Sequence, residues 1–119
     1  YMQEKSKVDT EMSTFIEHAA QYFQENYNQN IVIENYAREH NVTPHWFTQN
    51  FKKATKVTPM QYIISLRIKG AMNLLENTDY SIVQVAEAVG YDNPLYFSRI
   101  FKKYTGMSPT DYKNGKYKI

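Results

Sequence analysis

Two lysine pairs, Lys52-Lys53 and Lys102-Lys103, stand fifty residues apart, and each follows a stripe of side chains able to exchange directed hydrogen bonds. His45, Thr48 and Gln49 precede the first pair; Ser98 and Arg99 precede the second. Such a set suits recognition better than bond-making. Ammonium groups neutralise an anion without reading its identity, whereas a guanidinium fork or a carboxamide offers paired groups to a planar edge. Catalytic chemistry is poorly provided for: there is no cysteine, and no paired catalytic carboxylates, nucleophile constellation or phosphate-cradling glycine loop can be made out. His18, His40 and His45 lack a recognisable metal spacing, so neither a metal nor a cofactor is expected.

An internal repeat positions the two stripes. When Val42 to Tyr62 is set over Asp92 to Tyr112, eight of 21 positions are identical: Pro44/Pro94, Phe47/Phe97, Phe51/Phe101, Lys52/Lys102, Lys53/Lys103, Thr55/Thr105, Pro59/Pro109 and Tyr62/Tyr112. Upstream, Ile33 to Asn41 matches Ile82 to Gly90 at an offset of forty-nine, which places Ala37 on Ala86 and one extra residue in the second turn.

Each copy is punctuated as two short helices with a tight turn. In the second, Ser81 and Gln84 form a capping box, the helix runs to about Val89, Gly90 supplies the positive-φ stop, and Asn93-Pro94 starts the next helix as N-cap and first residue. Phe97 and Phe101 make its buried stripe, leaving Ser98, Arg99 and Lys102 on another face. In the first copy Asn41 takes the place of Gly90 and Thr43-Pro44 restarts the helix. Its expected core face is Phe47, Phe51 and Ala54, with His45, Thr48, Gln49 and Lys52 outside. Val32 stands where Ser81 does and cannot cap, so that helix is expected to fray or to be capped from Asn30. Trp46 and Tyr96 are expected to pack.

Between the copies, Thr58-Pro59-Met60-Gln61 opens a long helix whose series Ile64, Ile68, Ala71 and Leu75, with Ile63, Leu66 and Leu74 beside it, covers more than one face. Gly70 costs that helix about 1 kcal/mol relative to alanine and is expected to mark a close helix approach. Another amphipathic helix, with Met12, Phe15, Ile16, Ala19 and Phe23 on one face, opens the chain, and Ser108-Pro109 starts a short one carrying Tyr112. The expected boundaries are a polar extension at 1–10, a first subdomain at 11–57, a linker helix at 58–77 and a second subdomain with a basic tail at 78–119.

With 42% hydrophobic and 22% charged residues, the 119-residue chain falls among ordinary globular proteins, and no apolar run nears the roughly 18 residues that cross a bilayer. A cytoplasmic protein is expected, and a first residue other than Met points to a fragment. The net charge of +2 conceals a division: residues 1–41 carry three Lys or Arg against seven Asp or Glu, whereas residues 42–119 carry eleven against five. The basic part fits a polyanion-binding face.

The segment SIVQVAEAVGYDNPLYFSRIFKKYTGMSPTDY, from Ser81 to Tyr112, resembles the signature of the DNA-binding domain of AraC/XylS bacterial transcription regulators, and the likeness extends from about Met12. It departs at Val32, Asn41 and Gly70. The resemblance implies an all-α fold of two homeodomain-like helix-turn-helix subdomains joined by a long linker helix, the second helix of each entering a major groove of double-stranded DNA. Arg99 then suits bidentate contact with guanine O6 and N7, and Gln49 with adenine. Carried over from family positions, Pro94, Leu95 and Ser98 lie beside Arg99, where an outward Leu95 can meet a thymine methyl. His45 and Thr48 lie beside Gln49. Phosphate contacts fall to Thr43, Lys52, Lys53, Asn93, Lys102 and Lys103.

A linker of about 18 residues rises about 27 Å, somewhat less than the roughly 34 Å between successive grooves on one face of DNA. One chain is therefore expected to span two consecutive major grooves and curve the duplex. The likeness further implies a missing sensor or dimerisation domain and RNA polymerase as a second partner. The competing readings are a helical protein-interaction module contacting polymerase or another regulator, and an enzyme such as a DNA-repair protein on the same fold, for which the residues are lacking.

Overall fold

The computed structural model describes residues 2–115, with side chains from position 11 onward. Its helices are α1 (Met2–Asn26), α2 (Ile33–Glu39), α3 (Pro44–Thr55), α4 (Pro59–Asn77), α5 (Ile82–Ala88), α6 (Pro94–Thr105) and α7 (Pro109–Lys113). Among the described residues there is no strand. The stretch expected as a polar extension continues the opening helix back to Met2. Contacts divide the chain into two units, one comprising Tyr1–Asn26 and Ile31–Ile63, the other Tyr27–Asn30 and Ile64–Ile119. The division falls inside α4, whose first turn belongs to the first unit.

The first unit is built around an aromatic core. Phe23 of α1 is fully buried, with its ring centroid 5.4 Å from Tyr36, 5.8 Å from Phe51 and 6.3 Å from Phe47. Tilted and edge-on rings at these separations add about 0.5–1.5 kcal/mol per pair beyond the area they bury. Ile16, Ala19, Ile33, Ala37 and Ile63 close the core around them. Burial pushes the Tyr36 phenol above its ordinary pKa, and the Tyr22 phenol beside it pushes the same way. Ala54 is exposed, contrary to its expected core place. It sits on the rim of a groove of about 370 Å³ with Met12, Ser13, Ile16, Asn50 and Lys53.

The second unit repeats the plan on aliphatic residues. Ile68, Ala71 and Leu75 of α4 meet Val85, Ala86, Val89, Tyr91, Phe97, Phe101 and Tyr112. Gly70 marks a close approach, but of a side chain from the turn after α1 and not of a second helix: a Cβ there would lie 2.6 Å from the Tyr27 hydroxyl. Arg67 holds the segment containing Tyr27, donating from Nε to Tyr27 O at 2.7 Å and from a terminal nitrogen to Gln29 O at 2.9 Å. Its guanidinium also lies over the Tyr91 ring, 4.9 Å from the centroid. Burial raises the Tyr91 phenol pKa, and the opposing pull of Arg67 does not cancel it. The Tyr91 hydroxyl oxygen is buried, and the Arg67 guanidinium is the polar group that acts on it without completing a hydrogen bond of regular geometry.

The turns show how far the duplication reaches. After α2, Val42 N donates to Ala37 O at 3.0 Å and Asn41 N to Arg38 O at 3.1 Å. After α5, Tyr91 N donates to Ala86 O at 2.8 Å and Gly90 N to Glu87 O at 3.1 Å. Both are Schellman ends, with the left-handed residue Asn41 (φ 61°) in one and Gly90 (φ 105°) in the other. Four residues, 40–43, separate α2 from α3 and five, 89–93, separate α5 from α6. Because the two Schellman ends superpose residue for residue, the extra one is Asp92, inserted between the end of one motif and the N-cap of the next helix.

Candidate nucleic-acid interface

The surface of α3 and α6 follows from which residues their cores withdraw. Phe47 and Phe51 in α3, like Phe97 and Phe101 in α6, are completely buried. The residues between them must therefore face outward, and the exposure pattern of Thr43–Thr55 recurs at Asn93–Thr105, departing only where Trp46 is half-buried and Tyr96 is not. His45, Gln49, Lys52 and Lys53 are exposed on α3, and Leu95, Arg99, Lys102 and Lys103 on α6. Thr48, Ser98 and Pro94 are half-buried beside them. No hydrogen bond or ion pair with another described residue engages the side chains of Gln49, Arg99 or the four lysines. Within each helix the predicted reading residues thus share one open face with cations in the last turn, where the helix dipole also favours positive charge.

The N-caps fix where these stripes begin. Thr43 Oγ1 accepts from Trp46 N at 3.1 Å, and Asn93 Oδ1 accepts from both Leu95 N at 2.9 Å and Tyr96 N at 3.2 Å. Proline as the first helical residue has no N–H to leave unpaired. The side-chain oxygens of Thr43 and Asn93 thus accept from their own helices, which leaves the Thr43 hydroxyl proton and the Asn93 amide NH₂ as the donors of these two caps. At the far end Thr55 Oγ1 lies 2.8 Å from Phe51 O and 2.9 Å from Val57 O, and Thr105 Oγ1 lies 2.8 Å from Phe101 O and 3.0 Å from Met107 O. This identical buckle explains why Thr55 recurs at Thr105.

Other expected caps divide into present and absent. Ser81 and Gln84 form the full capping box, with Ser81 N donating to Gln84 Oε1 at 2.8 Å and Gln84 N to Ser81 Oγ at 3.1 Å. Thr58 and Gln61 form another at 2.9 Å and 3.2 Å. Val32 is the N-cap of α2 and supplies no side-chain bond. The expected packing of Trp46 and Tyr96 is met more fully in the first case. Trp46 is half-buried, edge-on to Phe15 with centroids 5.8 Å apart, whereas Tyr96 is edge-on to Tyr91 at 5.8 Å but leaves half its surface open next to Leu95. That exposure was not legible from the repeat, because the aromatic neighbour that shields Trp46 comes from α1, outside the repeated segment.

Comparison with known proteins places the chain in a class. A family model described as a helix-turn-helix domain matches residues 36–115. The chain is 37% identical over 92 residues to the MmsAB operon regulatory protein of Pseudomonas aeruginosa, covering 77% of this chain and 30% of that protein. It is 32% identical over 99 residues to the lactose operon transcription activator of Staphylococcus xylosus, covering 83% and 36%. The chain thus spans about a third of the length of these curated relatives. Among solved structures it matches the C-terminal domain of AraT, a response regulator from Geobacillus stearothermophilus, at 33% identity and a TM-score of 0.81, with 84% of each chain covered. It also matches the DNA-binding domain of AdpA, a global transcriptional factor solved in complex with a target DNA, at 26% identity and a TM-score of 0.79, covering 84% of this chain and 90% of that one. The chain belongs to the AraC-type helix-turn-helix family of DNA-binding transcription-regulator domains.

Proposed function

We propose that this chain binds double-stranded DNA sequence-specifically within a longer transcription regulator, with α3 and α6 each entering a major groove, and that the two grooves are consecutive on one duplex. The observation that carries this reading is the duplicated outward stripe: twice, a buried phenylalanine pair leaves polar side chains and two lysines on the open side of a helix. Arg99 reads guanine and Gln49 adenine, with His45, Thr48, Pro94, Leu95 and Ser98 completing the contacts to bases. Thr43, Lys52, Lys53, Asn93, Lys102 and Lys103 hold the phosphates. A sensor or dimerisation domain elsewhere in the longer protein, a cytoplasmic location, RNA polymerase as a second partner and the absence of enzymatic activity belong to the same proposal.

Selection from random duplexes, followed by footprinting and salt titration, tests the reading. A footprint on two adjacent major grooves is expected, and one confined to a single groove refutes the two-helix part. Arg99→Ala relaxes base preference at one position by about 1–3 kcal/mol. Lys102→Ala weakens binding to all sequences alike and lowers the salt slope by about 0.9. A stripe that contacts protein instead of DNA leaves DNA affinity indifferent to both changes.

A further inference from the structure

The helices α3 and α6 end in the same geometry on different residues. Lys56 N donates to Lys52 O at 2.8 Å, and Gly106 N donates to Lys102 O at 2.8 Å. Both residues then turn into the left-handed region, Lys56 at φ 73° and Gly106 at φ 86°. Glycine enters that region freely, whereas the β-carbon of a lysine crowds the following carbonyl. The second unit thus has the residue that this stop favours, and the first keeps a strained one. Packing does not account for the difference: Lys56 is exposed, and a Cβ at Gly106 would meet nothing within 4 Å. Nor does the helix end gain a side-chain cap, because the Lys56 ammonium makes no hydrogen bond or ion pair with another described residue. A cation kept against backbone strain, with no contact inside the protein, points to a partner outside it.

The position of Lys56 identifies that partner. Since Lys56 N still closes a helical turn, its Cα stands where the next residue of α3 would. Counted around the helix, that place lies about 20° from Gln49, seven residues back, and about 40° from Lys52, four back. Lys56 therefore extends the outward stripe of α3 as a third cation after Lys52 and Lys53, on a helix that carries no carboxylate. We infer that the Lys56 ammonium holds a backbone phosphate of duplex DNA, a contact that the first unit makes and the second, with Gly106, does not. The inference rests on the DNA-binding reading above. An ammonium on a flexible stem takes a phosphate as a point charge and reads no base. Lys56 thus adds affinity and leaves sequence preference to other side chains.

The test uses the intact chain and a duplex obtained by selection. Lys56→Gly is expected to move stability and affinity in opposite directions. Relief of the left-handed strain raises Tm by about 4 °C. Loss of the phosphate contact weakens binding about eightfold at 0.1 M salt and lowers the salt slope by about 0.9. Lys56→Arg keeps the charge, and with it the slope and Tm of the parent. Phosphates in the half-site covered by α3 are then replaced one at a time by neutral methylphosphonate. One replacement is expected to weaken the parent about eightfold and to leave the affinity of Lys56→Gly unchanged. A salt slope unmoved by Lys56→Gly, or methylphosphonate losses equal in parent and variant at every phosphate, overturns the inference and leaves DNA binding standing. A Tm that does not rise overturns it as well, because the lysine is then kept against no strain. Failure of the parent chain to select any duplex removes the DNA-binding reading itself.

Discussion

Gly90→Ala isolates the turn that sets α6 on its unit. Gly90 has φ 105°, beyond the left-handed helical well that asparagine can enter, and an L side chain held there costs about 1–3 kcal/mol. Space adds to the cost. A Cβ at Gly90 would stand 3.1 Å from the backbone oxygen of Asn28 and 3.2 Å from the Arg67 guanidinium. Neither neighbour is free to withdraw, because Arg67 is bonded to the carbonyls on both sides of Asn28, at Tyr27 and Gln29. Taking about 2 kcal/mol for the backbone and about 1 kcal/mol for the crowding gives a loss of about 3 kcal/mol. With an unfolding entropy near 0.25 kcal/mol per kelvin for a chain of this length, thermal melting followed by circular dichroism should show Tm about 12 °C lower. Asn41→Ala supplies the internal control. Asn41 has φ 61°, inside the left-handed well, and serves the matching turn, so its loss should be about 1 kcal/mol, or about 4 °C. If the two substitutions lower Tm equally, the close approach of Asn28 and Arg67 contributes nothing and the reasoning fails.

Val32→Ser should give α2 the side-chain cap that Ser81 gives α5, raising stability by about 0.5–1 kcal/mol in urea titration, whereas Ser81→Ala should lower it by about 1 kcal/mol. An unchanged midpoint for both would show that these helix starts are held by packing alone. Tyr91→Phe removes a buried hydroxyl that makes no hydrogen bond of regular geometry and is expected to be neutral or stabilising by about 1 kcal/mol; a clear loss would show that the nearby Arg67 guanidinium bonds that oxygen. The phenols of Tyr36 and Tyr91 have folded pKa values raised above 10.0, chiefly by burial. An unfolded chain therefore ionises them first, so their contribution is complete below that pH and is lost as pH climbs through the folded values. Stability should fall in strongly alkaline buffer, and less steeply in Tyr91→Phe.

The parts of this fold legible in the sequence are those governed by neighbours along the chain. Ser81 with Gln84, Thr58 with Gln61 and Asn93 before Pro94 announce helix starts because each bond spans two or three residues. The phenylalanine pairs are equally plain, since their spacing and repetition leave one interior solution. Helical spacing places Ala54 on the core side, yet it is exposed, as is Tyr104 at the matching position of the second copy. Contacts made across long separations stayed hidden. Arg67 meets Tyr27 O forty residues away, and nothing in its local sequence distinguishes a backbone clasp from a solvated arginine. The extent of Tyr96 exposure was hidden for a related reason: Tyr96 meets Tyr91 edge-on, but its counterpart Trp46 is covered by Phe15 of α1, an element that the repeated segment does not include. At the candidate interface, the stripes and the Asn93 cap were legible in the sequence, while the half-burial of Thr48, Pro94 and Ser98 beside the exposed residues appeared only in three dimensions.

In α3 and α6 the phenylalanines and the outward residues occupy opposite sides of the same cylinder, and this separates two kinds of inheritance. What folding requires, Phe47 and Phe51 or Phe97 and Phe101, is the same in both copies, while His45 stands opposite Leu95 and Gln49 opposite Arg99 on the free side. Each helix is in effect an interchangeable cassette, able to drift toward a new partner one side chain at a time without endangering the architecture that carries it.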